Sequence, residues 1–173
     1  MEKTVTYLEM TDPGQLRPSP AVDALGLVAA DGASPGVQAV QARVGAPHGW
    51  RSTARTAADW AAHLAEHPRR RYWLLTYGGE PAGVANLEPH PGGEVEITTF
   101  GLVPEYVGRG LGGYALTLAL RQAWATEPLG AGAVRRVWLH TDTEDHPNAL
   151  RNYESRGLRA YRTETVGTAR EGC

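Results

Sequence analysis

The sequence predicts one α/β (α+β) domain built on a mixed sheet. Three observations predict it. Two apolar runs, Tyr72 to Tyr77 and Pro81 to Glu88, flank the turn pair Gly78-Gly79, which is a β-hairpin signature. A strand pattern from Glu94 to Leu102 leads through a glycine-dense loop into a long amphipathic helix pattern. Beyond that helix the chain reads strand, short helix, strand from Arg135 to Val166. A length of 173 residues, 42% of them hydrophobic, suits a single domain over 1–173 whose motif-bearing part lies at about 72–166.

The elements follow in order. Val5 to Met10 alternates as a strand and ends at the turn Asp12-Pro13-Gly14. Gln15 to Ser34 is rich in Pro, Gly and Ala, with an extended piece from Val22 to Val28. Ser34-Pro35 reads as an N-cap with proline at the first helical position, opening a helix to about Val44. Thr56 and Asp59 have the spacing of a capping box, and the helix they open carries Trp60, Leu64 and His67 to a stop at Pro68. His90-Pro91-Gly92-Gly93 turns the hairpin into the strand Glu94 to Leu102. The long helix runs from about Leu111 to Glu127, with Leu111, Ala115, Leu118 and Leu116, Leu120, Trp124 on adjoining rows. Arg135 to Thr141 is a strand, His146-Pro147 opens a short helix ending at Gly157, and Leu158 to Val166 is the closing strand.

Composition narrows the function. A formal charge of −2 gives no general attraction for nucleic acid or an anionic membrane. Arg69-Arg70-Arg71 is the longest basic run and reads as a solvated loop. Cys173 is the only cysteine, so no internal disulfide and no thiolate metal site is expected. The first residues lack a signal-peptide core and no apolar run reaches membrane-spanning length, so the expected location is the cytoplasm.

Three glycines in five residues, Gly108, Gly110 and Gly112, stand at the strand-to-helix junction. Such a loop lets several backbone N–H groups approach an anion, and the helix N-terminus adds partial positive charge. A pyrophosphate needs that arrangement, and Arg109 offers a charge-assisted contact. Gly108, Gly110 and Gly113 also satisfy G-x-G-x-x-G. Against a dinucleotide fold, Val103 to Val107 separates the motif from its strand, and too little chain follows for a βαβαβ unit. A Walker loop fails because no Gly-Lys-Ser/Thr follows.

The run from Leu102 to Gly112 resembles the acetyl-CoA signature of the GNAT N-acetyltransferase superfamily, Gln/Arg-x-x-Gly-x-Gly/Ala after a strand end. Asn148 to Leu158 resembles that family's Asn-x-x-Ala-x-x-x-Tyr-x-x-x-Gly-Phe helix. The two occur in the family's order and cover about Glu94 to Leu158. Three departures stand out: Val107 takes the Gln/Arg position, His146 takes the Asn position with Asn148 two residues later, and Leu158 replaces Phe.

The resemblance implies a mostly antiparallel sheet flanked by helices, splayed at the strand before the glycine loop. It implies acetyl-CoA as co-substrate, no metal, and acetyl transfer to a primary amine of a small molecule or peptide in a ternary complex. Leu102, Val103, Gly108, Arg109, Gly110, Gly112, Gly113 and Asn148 would hold the cofactor. Gly101 would let the strand bulge. Tyr153 would be the general acid, with a half-buried core tyrosine as the competing reading, and Glu96, eleven residues before Val107, the general base, with Glu94 as substitute on the same strand face. A degenerate acyl-CoA-binding module and a dinucleotide-binding protein remain the alternatives, and a homodimer stays open.

Other constellations are weaker. His63, Glu66 and His67 match H-x-x-E-H, but Pro68 ends the helix and no third zinc ligand is evident. His140, Asp142, Asp145 and His146 read as a loop that caps the next helix rather than a metal site. Trp50, Trp60 and Trp73 read as core more readily than as an acceptor pocket.

Overall fold

The computed structural model describes residues 2–167, so Cys173 lies outside the described residues. Seven strands, β1 (Glu2–Met10), β2 (Leu25–Ala30), β3 (Tyr72–Tyr77), β4 (Glu80–His90), β5 (Glu94–Leu102), β6 (Arg136–Asp142) and β7 (Arg159–Gly167), form one sheet. Four α-helices accompany it: α1 (Pro35–Gly45), α2 (Ala57–Glu66), α3 (Gly112–Trp124) and α4 (Ala149–Ser155). The strand order is β2-β3-β4-β5-β6-β1-β7, antiparallel throughout except for β5 beside β6. No helix among the described residues is long and apolar enough to cross a membrane.

The parallel pair is short. Glu94 to Glu96 pairs with Arg136 to Trp138 and pairing then stops, although both strands continue. Beyond that point β5 pairs only with β4 and β6 only with β1, so a wedge opens inside the sheet. This is the splay that the family resemblance implied.

Two layers pack on the sheet. On one face, Leu116, Leu120 and Ala123 of α3 meet Leu8, Met10, Leu87, Val95, Ile97, Val137 and Leu139. Leu116 and Leu120 are fully buried, each contributing roughly 1.5–3 kcal/mol. On the other face, Val40 and Val44 of α1 meet Val84 and Val103. That face also holds a buried amide pair, Asn86 Nδ2 donating to Gln41 Oε1 at 2.8 Å.

The β5 bulge lies at Thr98, where Asn86 pairs with Thr99 but Leu87 with Ile97. The expectation placed it at Gly101, three residues later. One extra residue inverts the alternation. Val95 and Ile97 face α3 before it, and Phe100 and Leu102 pack on the α3 side after it. Gly101 therefore turns toward α1, where a Cβ would collide with Val44. Glycine is needed there for close approach rather than for a bulge.

The capping box at Thr56 and Asp59 forms, with both reciprocal bonds present. Two helix limits differ from expectation. α3 stops at Trp124 rather than Glu127, because Pro128 disfavours a helical conformation in the residue before it. α4 begins at Ala149 rather than His146, because the His146 ring Nδ1 accepts the Asn148 N–H at 3.1 Å and holds a turn there. The Arg69-Arg70-Arg71 run is not simply solvated. Arg70 is bonded to Glu88 at 3.1 Å and to His63 Nε2 at 3.0 Å, and the Arg71 N–H donates to the Leu87 carbonyl at 2.7 Å.

Candidate active site

After β5 the chain makes a 3-10 turn over Pro104–Tyr106, and Gly108 and Gly110 follow with φ of 76° and 75°. Both values lie in the left-handed region that glycine enters at no steric cost. The helix α3 then starts without a side-chain cap on its N-terminal amides. Its first internal bond runs from the Ala115 N–H to the Leu111 carbonyl, so the amides of Gly112, Gly113 and Tyr114 have no intrahelical acceptor. Gly112 and Gly113 line the cavity, and a helix end of this kind carries the partial positive charge that favours an anion. A Cβ on Gly113 would collide with the Arg156 guanidinium, so the glycine admits an arginine beside the helix end.

A cavity of about 490 Å³ runs from this loop to the splay. Its loop end is lined by Gly108, Gly110, Gly112 and Gly113, with Arg151 and Arg156 from α4 and the residue after it. Arg156 Nε is buried without a hydrogen-bond partner. An orphaned guanidinium N–H beside free helix amides fits a phosphate oxygen. Asn152 Nδ2 donates to the Gly112 carbonyl at 3.0 Å and fastens α4 to the loop.

The middle of the cavity holds Tyr153, buried to 7% exposure, with Phe100 against it at 6.3 Å between ring centroids. Burial pushes the phenol pKa upward, and the Asp145 carboxylate pushes it in the same direction. The hydroxyl therefore stays protonated at neutral pH, as a proton donor requires.

The far end is lined by Val44, His48, Trp50, Asp145 and His146. Asp145 Oδ1 accepts from Trp50 Nε1 at 3.2 Å, and Oδ2 accepts from the Thr141 hydroxyl at 2.5 Å and the Asp142 N–H at 3.2 Å. His48 Nδ1 lies 3.3 Å from the Glu144 carbonyl, which can only accept, so the neutral ring carries its proton on Nδ1 and its lone pair on Nε2.

Of the residues expected to hold the cofactor, Leu102, Gly108, Gly110, Gly112, Gly113 and Asn148 line the cavity, as does Tyr153. Val103 and Arg109 are not among the lining residues. Val103 is 1% exposed and packs in the α1 cluster. The Arg109 guanidinium stacks over Tyr77 and Tyr106 at 5.0 and 5.2 Å. Glu94 and Glu96 also stand outside the lining. Glu94 is 3.4 Å from Arg136, and Glu96 Oε1 is 2.9 Å from His90 Nε2 on the α1/α2 face.

Glu88, His90 and Glu96 bring one ligand atom each within 4.8 Å. Burial alone would raise the Glu88 pKa, but the Arg70 bond and charge, with His67 and His90, outweigh it and hold the carboxyl low. A group so engaged with an arginine is a structural ion pair rather than a vacant ligand. In the H-x-x-E-H segment, Arg70 occupies His63 Nε2.

Sequence reading missed Arg151, Asn152, Arg156 and His48, while Trp50, read as core, does pack on the α1 cluster and also lines the cavity. Arg151, Asn152 and Arg156 sit inside the quoted tyrosine helix, where helical spacing from Tyr153 was a usable signal. His48 and Trp50 follow α1 in a segment with no motif, and nothing in the sequence marks them.

A splayed sheet, a glycine-rich helix N-terminus at the wedge and a buried tyrosine share one cavity. The chain belongs to the acetyltransferase (GNAT) family, whose model matches residues 40–158. Solved structures share the fold. A GCN5-related N-acetyltransferase from Kribbella flavida has a TM-score of 0.62 and 21% identity, covering 94% of this chain and 56% of its own. A tandem GNAT protein from the clavulanic acid biosynthesis pathway has a TM-score of 0.57 and 20% identity, covering 97% and 54%. An acetyltransferase from Thermus thermophilus has a TM-score of 0.55 and 22% identity, covering 83% and 97%. The chain thus spans little more than half the length of the first two and nearly all of the third. No curated protein matches it.

Proposed function

We propose that the protein is an N-acetyltransferase that moves an acetyl group from acetyl-CoA to a primary amine of a small molecule or peptide by direct attack in a ternary complex. The observation that carries this is one cavity joining free helix amides, Arg156 and a buried tyrosine. Gly108, Gly110, Gly112 and Gly113, with Arg151 and Arg156, receive the pyrophosphate, and Leu102 and Asn148 border the remainder of the cofactor. The loop's dinucleotide alternative loses ground because the sheet beside it is antiparallel apart from a three-residue pairing.

In the reaction the amine lone pair attacks the thioester carbonyl, the C–S bond breaks, and the departing thiolate takes the Tyr153 proton. The amine's own proton leaves through water to Glu96, which His90 holds from the side. Arg109 supports the loop by stacking, and Val103 anchors its approach. A sensor that binds acyl-CoA without turnover would not need the Tyr153 hydroxyl. Acetyl-CoA titration by calorimetry, followed by thiol release across an amine panel, tests the reading; absence of acetyl-CoA binding overturns it.

For assembly we read a homodimer through β7, which is exposed along its whole length. Antiparallel pairing of two copies centred on Thr163 sets Arg162 opposite Glu164 on both sides. Light scattering after size exclusion should give twice the chain mass, and a monomer would end the idea.

A further inference from the structure

The far end of the cavity has a chemistry that the acetyl donor does not use. Asp145 is the single carboxylate among the described residues that line the cavity. The hydrogen bonds it receives come from an indole N–H, a hydroxyl and a backbone amide, all neutral. None of the ion pairs among the described residues includes it. Neutral donors fix the carboxylate's position and leave its charge without a counter-ion.

The two cavity ends therefore differ in sign. Arg151, Arg156 and the α3 amides make one end attractive to anions, and Asp145 makes the other attractive to cations. Trp50 donates its indole N–H to Asp145 and lines the same space, held there by its packing on the α1 cluster. A carboxylate held in place by neutral donors at the end of a cavity suits a cationic nitrogen by charge-assisted hydrogen bonding. The Asp145 field already reaches the Tyr153 phenol at the centre of the cavity.

We propose that Asp145 and Trp50 form an acceptor subsite for a basic amine, one that carries a second cationic nitrogen besides the nitrogen that is acylated. The inference rests on the acetyltransferase reading above. The reacting nitrogen must be neutral to attack, so the charge that Asp145 stabilises must sit elsewhere on the acceptor. An acceptor with an anionic second end would meet like charge in a partly desolvated site.

Three probes of equal chain length separate charge from shape: putrescine, n-butylamine and γ-aminobutyrate, whose far ends are cationic, apolar and anionic. Binding to the CoA-loaded protein is followed by NMR titration, and acetylation by thiol release. Putrescine should bind at least about tenfold more tightly than n-butylamine, with γ-aminobutyrate weakest. Asp145→Asn keeps the shape and the oxygen that accepts from Trp50, and it should flatten the series while CoA affinity stays unchanged. Should that variant fold poorly, the wild-type series still decides. No preference for putrescine in the wild type, including no binding by any probe, overturns the subsite. The same preference retained in a folded Asp145→Asn also overturns it. Failure of the wild type to bind CoA would instead overturn the acetyltransferase reading.

Discussion

On the α3 face of the sheet, fully buried Leu116 and Leu120 fill the space above Leu87, Val137 and Leu139, and the helix that carries them begins at the glycine loop. On the α1/α2 face, much of the comparable space is filled by polar side chains: Gln41 with Asn86, Arg70 with Glu88 and His63, and His90 with Glu96. The first face is specified by periodicity and by glycine spacing. The second depends on side-chain pairs that no period marks, from His90 with Glu96, six residues apart, to Asn86 with Gln41, 45 apart, and it leaves Asn86 Oδ1 and Arg70 Nε buried without a partner. On the proposed function, the donor and the acid fall to the periodic face, while the acceptor end is closed by Trp50, which packs against the α1 cluster on the other.

The sharpest break in that division is Tyr153→Phe, which removes one hydroxyl from the α3 side. The ring still packs on Phe100, so acetyl-CoA affinity should hold while kcat falls by about 10²–10⁴. A kcat within a factor of about two, with chemistry shown to be rate-limiting, moves the acid elsewhere. Gly110→Asp comes next. A side chain at φ 75° is strained although space is open, and the added charge faces the anion end. Acetyl-CoA affinity should drop at least about tenfold by calorimetry with the far-UV spectrum unchanged.

A smaller effect tests the polar face. Glu96→Gln should lower kcat by about tenfold, partly recovering at higher pH as more amine is already neutral. Glu94, tied to Arg136, should tolerate the same change, and His48→Gln measures the rival base whose Nε2 is free. A collapse in His48→Gln beside wild-type rates in Glu96→Gln would transfer the base to the cavity mouth.

How much of this was legible follows the same line. The hairpin, β5 to its last residue, the capping box and the glycine loop are local in sequence, and each appears where its residues predicted. The placement of β1 between β6 and β7 is not local, since it depends on pairings such as Leu8 with Leu139 across most of the chain. The Thr98 bulge left no mark either, because threonine suits a strand as well as a bulge. It decided which β5 residues face α3, so the alternation that placed Glu94, Glu96 and Thr98 together holds only up to that residue. The acceptor end is assembled from the segment after α1 and the turn after β6, and no spacing rule joins Trp50 to Asp145.

The smallest predicted effect leaves catalysis alone and probes only the polar face. His63 sits under Arg70 with its rings near Trp60 and His67, and its pKa is pushed down to about 4 from an ordinary 6.5. Burial is the main cause, and the charges of Arg55 and Arg70 and the neighbouring His67 act in the same direction. The unfolded chain takes up this proton near 6.5, while the folded protein refuses it until about 4. The unfolded state thus binds more protons in that window, and stability is complete above it and lost as pH falls through it. Glu88 and Asp142 are also depressed, but their ordinary values are 4.5 and 3.8, so their losses begin lower. The interval between about 4.5 and 6.5 therefore isolates the histidine from those carboxylates. His63→Gln keeps an oxygen to accept the Arg70 N–H and removes the titration. Urea midpoints should decline across that interval in the wild type and stay nearly level in the variant. Parallel declines in both would show that the polar face excludes protons by some group other than His63.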